Sequence, residues 1–189
     1  MNTPNKLTVL RILMTPIFMV TLIVDFPQHY LVALALFIAA SVTDLIDGKI
    51  ARKYNMITDM GKFLDPLADK MLTTAAFLSF MALDIGWGML WINFIVLTRE
   101  FLVTSVRYMA ASSGKVVAAN IYGKIKTVSQ MTAIIMAMAF EYFMSFGILP
   151  PVVCTVLVVL YNIALWFSVV MTVVSGVIYV KENREFIGI

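Results

Sequence analysis

Six long apolar segments follow one another along the chain, and short polar connections separate them. Each segment has roughly the 20 residues that an α-helix needs to cross the hydrocarbon layer of a membrane. Pro27, Gly86, Gly88 and the pair Pro150–Pro151 mark three of the connections as turns. The pattern predicts an all-α polytopic membrane protein with six transmembrane helices. The predicted spans are residues 7–24, 30–52, 61–83, 89–111, 122–144 and 152–180.

The composition supports one membrane domain rather than a soluble globule. Of the 189 residues, 61% are hydrophobic and 13% are charged, and the mean hydropathy is +0.94. A typical soluble domain is nearer half apolar and a quarter charged. Six spans with short connections use the whole chain, so residues 1–189 are predicted to form a single integral-membrane domain. No small-residue cleavage site follows the first span, which is therefore expected to be retained.

Basic residues lie on only one side of the predicted topology. They occur at the start of the chain, around the 2–3 and 4–5 connections and in the tail, whereas the other connections offer Asp25, Asp84 and Glu141 but no Lys or Arg. Because cytoplasmic loops carry the excess of Lys and Arg, both termini are predicted to be cytoplasmic. The net charge of +3 fits contact with anionic headgroups of the cytoplasmic membrane, and no nucleic-acid partner is expected.

One cysteine and one histidine leave little scope for thiol or imidazole chemistry. Cys154 lies in an apolar run, where it is expected to be a small buried residue. His29 lies between the first two spans and is expected to be a solvated loop residue. An intrachain disulfide and a histidine-based metal site are therefore excluded.

Four aspartates lie at the predicted cytoplasmic ends of the second and third spans. Asp44 and Asp47 are spaced i, i+3, and Asp65 and Asp69 are spaced i, i+4, so each pair shares a helical face. A short connection joins the two spans, so we expect antiparallel neighbouring helices whose four carboxylates converge. Their repulsion requires one or two divalent cations, and the all-oxygen ligand set favours Mg²⁺ or Mn²⁺. The alternative is a set of interfacial loop charges, but carboxylates at the membrane edge are costly and usually functional.

The residues around the aspartates suit a diphosphate ligand. Gly48, Ala51 and Gly61 expose backbone with little side chain, which lets a bulky ligand approach closely. Arg52 adds a planar group that donates two hydrogen bonds to a phosphate. Together with the metals, these residues predict a diphosphate site without defining which diphosphate it binds.

The pattern D-x2-D-G-x2-A-R-x8-G-x3-D-x3-D runs from Asp44 to Asp69 and resembles that of the CDP-alcohol phosphatidyltransferase family. The six-span architecture agrees with this resemblance over nearly the whole chain. The family transfers a phosphatidyl or similar group from a CDP-linked donor to an alcohol and releases CMP, and the resemblance also suggests a homodimer. It implies that the four aspartates bind two divalent ions at the donor pyrophosphate and that Asp69 is also the general base. It further implies that the cytidine diphosphate part is held by Gly48, Ala51, Arg52 and Gly61.

Two shorter stretches bear on the acceptor. NTPNKLTVLRI at the start and GKIKT at Gly123 to Thr127 resemble stretches of phosphatidylglycerophosphate synthases, which implies CDP-diacylglycerol as donor and sn-glycerol 3-phosphate as acceptor. The acceptor phosphate requires additional cations. Arg99 lies too deep for a snorkelling end position and is expected to face a polar cavity, with Glu100 on another side of the helix. The candidate phosphate-binding residues are Arg99, Arg107, Lys115, Lys124 and Lys126.

Several of these residues have a second interpretation. Lys124 and Lys126 are spaced i, i+2, so only one can readily face the site, and Lys126 is favoured. Lys115 fits the positive-inside pattern equally well, and Arg107 fits an interfacial anchor. Asn5, Thr8 and Arg11 could contact the nucleotide, or they could belong to an amphipathic segment where the first span enters the membrane.

Three other functions remain open. Serine, inositol phosphate or phosphatidylglycerol could be the acceptor within the same family. A prenyltransferase also uses paired aspartates and Mg²⁺ on diphosphates, but such enzymes usually carry two separated acidic clusters on more spans. A divalent-cation transporter predicts polar residues midway through several spans, whereas spans one, five and six are nearly free of ionisable residues there.

Overall fold

The protein is all-helical in the part of the chain that the structure describes. The computed structural model describes residues 3–53, 59–112 and 121–184, except for the side chains at 3–4, 44–53, 59–63, 65–66, 69 and 112. These residues form six helices, whose ends lie within about four residues of the predicted spans, so the all-α prediction is confirmed. The helices are α1 (Thr3–Ile23), α2 (His29–Lys53), α3 (Asp59–Ala82), α4 (Met89–Ser112), α5 (Ile121–Met144) and α6 (Pro151–Glu182).

Three helices are long and apolar enough to cross a membrane by length and composition, namely Asn5–Ile23, Met89–Ala111 and Pro151–Glu182. Their outward faces carry large apolar side chains such as Trp91 and Phe94, both more than half exposed. Side chains of this kind are stable on an outer surface when hydrocarbon, rather than water, surrounds them. The described part of the chain therefore has the properties of a membrane-embedded helical bundle.

α1 is the helix that holds the first half of the bundle together. It packs extensively against both α2 and α3, and the rings of Phe18 in α1 and Phe37 in α2 lie 5.6 Å apart. Within the described residues, α2 and α3 touch each other only slightly. The predicted pairing of these two helices is therefore limited to a slight contact among the described residues, and α1 packs far more extensively against each of them. A short connection limits how far apart two helix ends can lie, but it does not decide which faces pack.

The second half of the bundle is built around α6, which packs against α5 and α4. Buried polar side chains join these helices, as membrane helices commonly do where apolar packing alone is weakly specific. Gln130 of α5 donates a hydrogen bond to the Thr172 hydroxyl of α6 at 3.1 Å. Asn93 of α4 donates hydrogen bonds to the carbonyl of Phe77 in α3 at 3.1 Å and to that of Met89 at 2.9 Å.

The turn between α3 and α4 is fastened to the middle of α6. Gly86 and Gly88 have positive φ angles of 93° and 69°, which glycine adopts without steric cost. Between them, the Trp87 amide donates a hydrogen bond to the Asn162 side-chain oxygen at 2.6 Å. The Trp166 indole donates to the Trp87 carbonyl at 3.1 Å. Both backbone groups of one turn residue are thus satisfied by side chains of α6.

His29 departs from its prediction as a solvated loop residue. It is the first residue of α2, and its ring Nδ1 lies 3.0 Å from the Leu22 carbonyl oxygen of α1. The ring also packs on that of Tyr30, with centroids 4.0 Å apart. The turn brings the start of α2 back against the end of α1, and this shields the imidazole from solvent.

Candidate functional site

The first half of α1 presents a buried polar face to its neighbours. Asn5, Thr8 and Arg11 are only 5%, 1% and 1% exposed, and their spacing of three residues places them on one side of the helix. None of the three lacks an interaction partner. Burying a guanidinium is costly unless anionic or polar groups compensate it. Because this side of α1 is buried rather than turned outward, an amphipathic entry into the membrane does not explain it.

This polar face lies at the end of the bundle where the aspartate motif lies. A short turn joins α1 and α2, so the two helices run antiparallel, and the start of α1 lies beside the last turns of α2. Asp44 and Asp47 are in those last turns, and Asp65 and Asp69 are in the first turns of α3. Both pairs therefore occur within continuous helices, as the spacing argument requires.

The side chains of the motif lie outside the described residues, so their predicted roles stay predictions. This applies to the four aspartates and to the residues expected around the cytidine diphosphate. The helical backbone of α2 carries Gly48, Ala51 and Arg52, and that of α3 carries Gly61.

A cluster of three cations around one carboxylate lies among α3, α4 and α5. Glu100 Oε1 accepts a hydrogen bond from Lys126 Nζ at 2.5 Å and another from Arg99 Nη1 at 3.0 Å. Glu100 Oε2 lies 3.7 Å from Lys70 Nζ. The side chains of Lys126, Arg99 and Glu100 are only 9%, 12% and 13% exposed. We call these four residues, Lys70, Arg99, Glu100 and Lys126, the Glu100 cluster.

α6 completes the surroundings of Arg99. Arg99 Nη2 donates a hydrogen bond to the Ser175 hydroxyl at 2.5 Å. The next residue, Gly176, lies so close that a Cβ atom added to it would be 3.0 Å from Arg99 Cγ. Carbon atoms in ordinary contact are about 3.5–4.0 Å apart. The absence of a side chain at Gly176 therefore lets α6 approach Arg99, where Ser175 holds the guanidinium nitrogen that Glu100 does not.

Lys70 connects the Glu100 cluster to the aspartate motif. It directly follows Asp69 in α3, and its ammonium group donates a hydrogen bond to the Thr104 hydroxyl of α4 in addition to its contact with Glu100. The cations of α4 and α5 therefore lie next to the part of α3 that carries the second aspartate pair.

Sequence reasoning missed both Lys70 and Glu100. Glu100 was expected on a different side of α4 from Arg99, yet its carboxylate bonds to the Arg99 guanidinium. Neighbouring helical positions do point about 100° apart, but long charged side chains bend far enough to meet. An ionisable residue within an apolar span and a lysine directly after the motif were the signals that could have identified them.

The remaining predicted cations do not join the Glu100 cluster. Arg107, about two turns beyond Arg99 in α4, donates a hydrogen bond to the Tyr179 hydroxyl at 3.2 Å and lies 5.6 Å from the centre of that ring. Lys124 is exposed and borders an apolar groove between α5 and α6, whereas Lys126 faces the interior. Lys115 lies outside the described residues.

Buried polar groups on α1, the aspartate positions on α2 and α3 and the cations on α3, α4 and α5 together form the candidate site. Residues 1–174 match the family model described as CDP-alcohol phosphatidyltransferase. The chain therefore belongs to the CDP-alcohol phosphatidyltransferase family, as the aspartate motif indicated.

The chain is also similar to individual proteins with assigned names. The chain is 39% identical to the CDP-diacylglycerol–glycerol-3-phosphate 3-phosphatidyltransferase of Bacillus subtilis, an alignment that covers 97% of this chain and 96% of the relative. It is 31% identical to the protein of the same name from Rickettsia bellii, over 98% of this chain and 97% of the relative. A probable phosphatidylglycerophosphate synthase of Mycobacterium tuberculosis is 35% identical, over 99% of this chain and 84% of the relative.

Proposed function

We propose that this protein transfers the phosphatidyl group of CDP-diacylglycerol to sn-glycerol 3-phosphate, giving phosphatidylglycerophosphate and CMP. The observation that carries the proposal is the Glu100 cluster, in which Arg99 and Lys126 are buried next to the aspartate-bearing part of α3. The names of the relatives from Bacillus subtilis and Rickettsia bellii specify the same donor and acceptor.

The charge of the cluster suits a phosphate-bearing acceptor. Three cations and one carboxylate leave two positive charges in excess, and a phosphate monoester carries about −1.5 to −2 at neutral pH. Serine is zwitterionic and would leave that excess uncompensated. Inositol phosphate shares the phosphate, so the names of the relatives, rather than the cluster, favour glycerol 3-phosphate over it.

Arg99 and Lys126 are the proposed ligands of the acceptor phosphate. Arginine can donate two parallel hydrogen bonds to a phosphate, and a lysine ammonium adds a compact point charge. Arg107 bonds to Tyr179 instead, Lys124 is exposed beside the groove between α5 and α6, and Lys115 lies outside the described residues. We therefore do not include these three in the proposed acceptor site.

The aspartate motif is the proposed site of two divalent ions and of the donor. An all-carboxylate ligand set suits hard cations such as Mg²⁺ or Mn²⁺, and α1 packs against both of the helices that carry the aspartate pairs. When bound, such ions neutralise the donor diphosphate and stabilise the departing CMP. The cytidine diphosphate part would lie among Asn5 and Thr8 of α1 and the motif residues Gly48, Ala51, Arg52 and Gly61.

The proposed chemical step needs one base and one in-line attack. Asp69 removes the proton from the acceptor hydroxyl, and the acceptor oxygen forms a bond to the phosphatidyl phosphorus. The bond from that phosphorus to the CMP oxygen breaks, and CMP leaves with the electron pair. Lys70 follows Asp69 directly and contacts Glu100, so the cations that hold the acceptor phosphate lie close to the proposed base.

The proposal includes a membrane arrangement. Six transmembrane spans, cytoplasmic termini and an active site facing the cytoplasm would let the acyl chains stay in the bilayer while the polar head enters the site. The six helices of the described residues and the one-sided distribution of Lys and Arg support this topology. A homodimer in the cytoplasmic membrane is part of the same proposal.

CMP release by the purified enzyme tests the proposed function. The enzyme is incubated with CDP-diacylglycerol and Mg²⁺ or Mn²⁺, and with glycerol 3-phosphate, serine, inositol phosphate or phosphatidylglycerol in parallel. We expect CMP and a phosphatidylglycerophosphate product with glycerol 3-phosphate, and loss of both when EDTA removes the metal. CMP release with one of the other alcohols and not with glycerol 3-phosphate would disprove the proposed acceptor.

A further inference from the structure

Glu100 takes no part in the mechanism proposed above, yet its carboxylate is the group that the three cations share. It is nearly buried, it accepts hydrogen bonds from Arg99 and Lys126 on one oxygen, and its second oxygen faces Lys70. A carboxylate beside a site for an anionic substrate repels that substrate. Its position in the centre of the site therefore requires an explanation.

We propose that Glu100 is a positioning residue, which holds Arg99 and Lys126 in the arrangement that binds the acceptor phosphate. This inference rests on the proposed function. Because both donors contact the same oxygen atom, the guanidinium and the ammonium group are forced to converge. Two donors that converge on one carboxylate oxygen can also converge on the oxygens of one phosphate group.

Lys126 and Arg99 have more N–H donors than their contacts with Glu100 and Ser175 use. A lysine ammonium has three N–H donors and an arginine guanidinium has five. Within the described residues, Lys126 uses one donor on Glu100, and Arg99 uses one on Glu100 and one on Ser175. The acceptor phosphate can therefore bind without displacing Glu100.

Ordering these side chains before the substrate arrives has a direct energetic reason. A free lysine or arginine side chain loses considerable rotamer entropy when it is fixed, and two like charges in a poorly solvated site repel each other strongly. Glu100 offsets both costs in the folded protein. The acceptor then meets a site that is already arranged, which is the condition under which binding is strongest.

Through its contact with Lys70, Glu100 is also linked to the part of α3 that carries the proposed base. Glu100 Oε2 lies 3.7 Å from Lys70 Nζ, and Lys70 follows the proposed base Asp69. One carboxylate thus connects the residues that hold the phosphate to the helix segment that would hold the hydroxyl. In a three-carbon acceptor, these two ends have to be aligned together.

A simple counter-charge would behave in the opposite way. If Glu100 only neutralised excess positive charge, its removal would strengthen the attraction of the cluster for phosphate and lower the acceptor KM. If Glu100 positions Arg99 and Lys126, its removal raises the acceptor KM although the cluster becomes more positive. The direction of the change therefore separates the two roles.

Steady-state kinetics of Glu100→Gln in the full-length enzyme tests the inference. We expect the KM for glycerol 3-phosphate to rise by roughly ten- to hundredfold, the effect of losing a charge-assisted hydrogen bond. The KM for CDP-diacylglycerol should stay within about twofold, since a general loss of structure would change both constants. Glu100→Asp keeps the charge but shortens the side chain, and we expect an intermediate acceptor KM.

Glu141→Gln is the matched control. Glu141 lies in α5 as Lys126 does, but near the opposite end of that helix, and its carboxylate accepts a hydrogen bond from the Tyr161 hydroxyl at 3.0 Å. It undergoes the same chemical change in a half-buried setting. Both KM values of this variant should remain close to those of the unmodified enzyme.

The double variant Glu100→Gln/Lys126→Gln shows whether Glu100 acts through Lys126. If it does, the acceptor KM of the double variant is clearly lower than the product of the two single effects predicts. Effects that multiply fully would contradict the positioning role.

The failures of the inference and of the proposed function are distinguishable. If the unmodified enzyme uses glycerol 3-phosphate but Glu100→Gln has an unchanged or lowered acceptor KM, the inference is wrong and the proposed function stands. If the unmodified enzyme does not use glycerol 3-phosphate, both are wrong. If Glu100→Gln does not fold, as size-exclusion chromatography in detergent would reveal, an unchanged acceptor KM in Glu100→Asp overturns the inference.

Discussion

Gly176→Ala introduces one methyl group beside the arginine that is proposed to bind the acceptor phosphate. The new Cβ would lie 3.0 Å from Arg99 Cγ, whereas ordinary carbon–carbon contacts are about 3.5–4.0 Å. Either Arg99 or α6 therefore has to move by a few tenths of an ångström. The hydrogen bonds from Arg99 to Ser175 and Glu100 are 2.5 and 3.0 Å long, so a shift of this size breaks or weakens at least one of them.

The expected effect on stability is small, because two contributions oppose each other. Overpacking of a tight site costs about 1–3 kcal/mol, while alanine is about 1 kcal/mol better than glycine inside a helix. The effect on binding is not offset in this way. A misplacement of about 1 Å can cost up to a hundredfold in activity, so for a shift of a few tenths of an ångström we expect kcat/KM for glycerol 3-phosphate to fall by roughly three- to tenfold.

Parallel measurements of acceptor kinetics and of thermal unfolding in detergent test this prediction. Ser168→Ala is a suitable control, because Ser168 is buried in the same helix and its hydroxyl, the group that the substitution removes, bonds only to the Leu165 carbonyl among the described residues. A folded Gly176→Ala enzyme with unchanged acceptor kinetics would refute the view that close approach of α6 positions Arg99.

Three further predictions follow from the same structure. Asp69→Asn should abolish CMP release, measured by product assay, while much of the binding of a CDP-diacylglycerol analogue remains. Surviving turnover would rule out Asp69 as the base. Lys126→Gln should raise the acceptor KM at least about tenfold, whereas the acceptor KM of Lys124→Gln should stay within about twofold of the unmodified enzyme. Equal effects would contradict the distinction between the buried and the exposed lysine. Asn162→Ala removes the hydrogen-bond acceptor of the Trp87 amide. It should lower the free energy of unfolding by about 1–3 kcal/mol and leave both KM values unchanged. An unaltered melting temperature would show that this contact contributes nothing to stability.

Much of the fold follows from the sequence because a membrane helix requires an uninterrupted apolar segment of defined length. That requirement predicted all six helices of the described residues, and the turn residues located their ends to within about four positions. The arrangement of the helices did not follow in the same way. Apolar faces of similar character surround several helices, so nothing in the pattern indicated that α1, rather than α2, packs most extensively against α3.

The candidate site was predictable where spacing carries the information and not where side-chain direction does. The aspartate motif was identified from positions alone, and the i, i+2 spacing of Lys124 and Lys126 indicated that only one faces the interior. Glu100 and Lys70 were missed, because flexible side chains from two helices meet across a distance that no local pattern encodes. The face formed by Asn5, Thr8 and Arg11 was ambiguous until the packing of α1 was known.

The Glu100 cluster also bears on how the bundle assembles. In hydrocarbon, an apolar helix surface is nearly as stable against lipid as against another helix, so apolar packing discriminates weakly among alternative rotations and shifts of a helix. Glu100 with its partners on α3 and α5, and Arg99 with Ser175 on α6, favour one register of these helices over its neighbours. The residues proposed to recognise the substrate are therefore also residues that specify the fold. Substitutions among them should lower the amount of assembled enzyme as well as its turnover, and cellular phenotypes at these positions reflect both quantities.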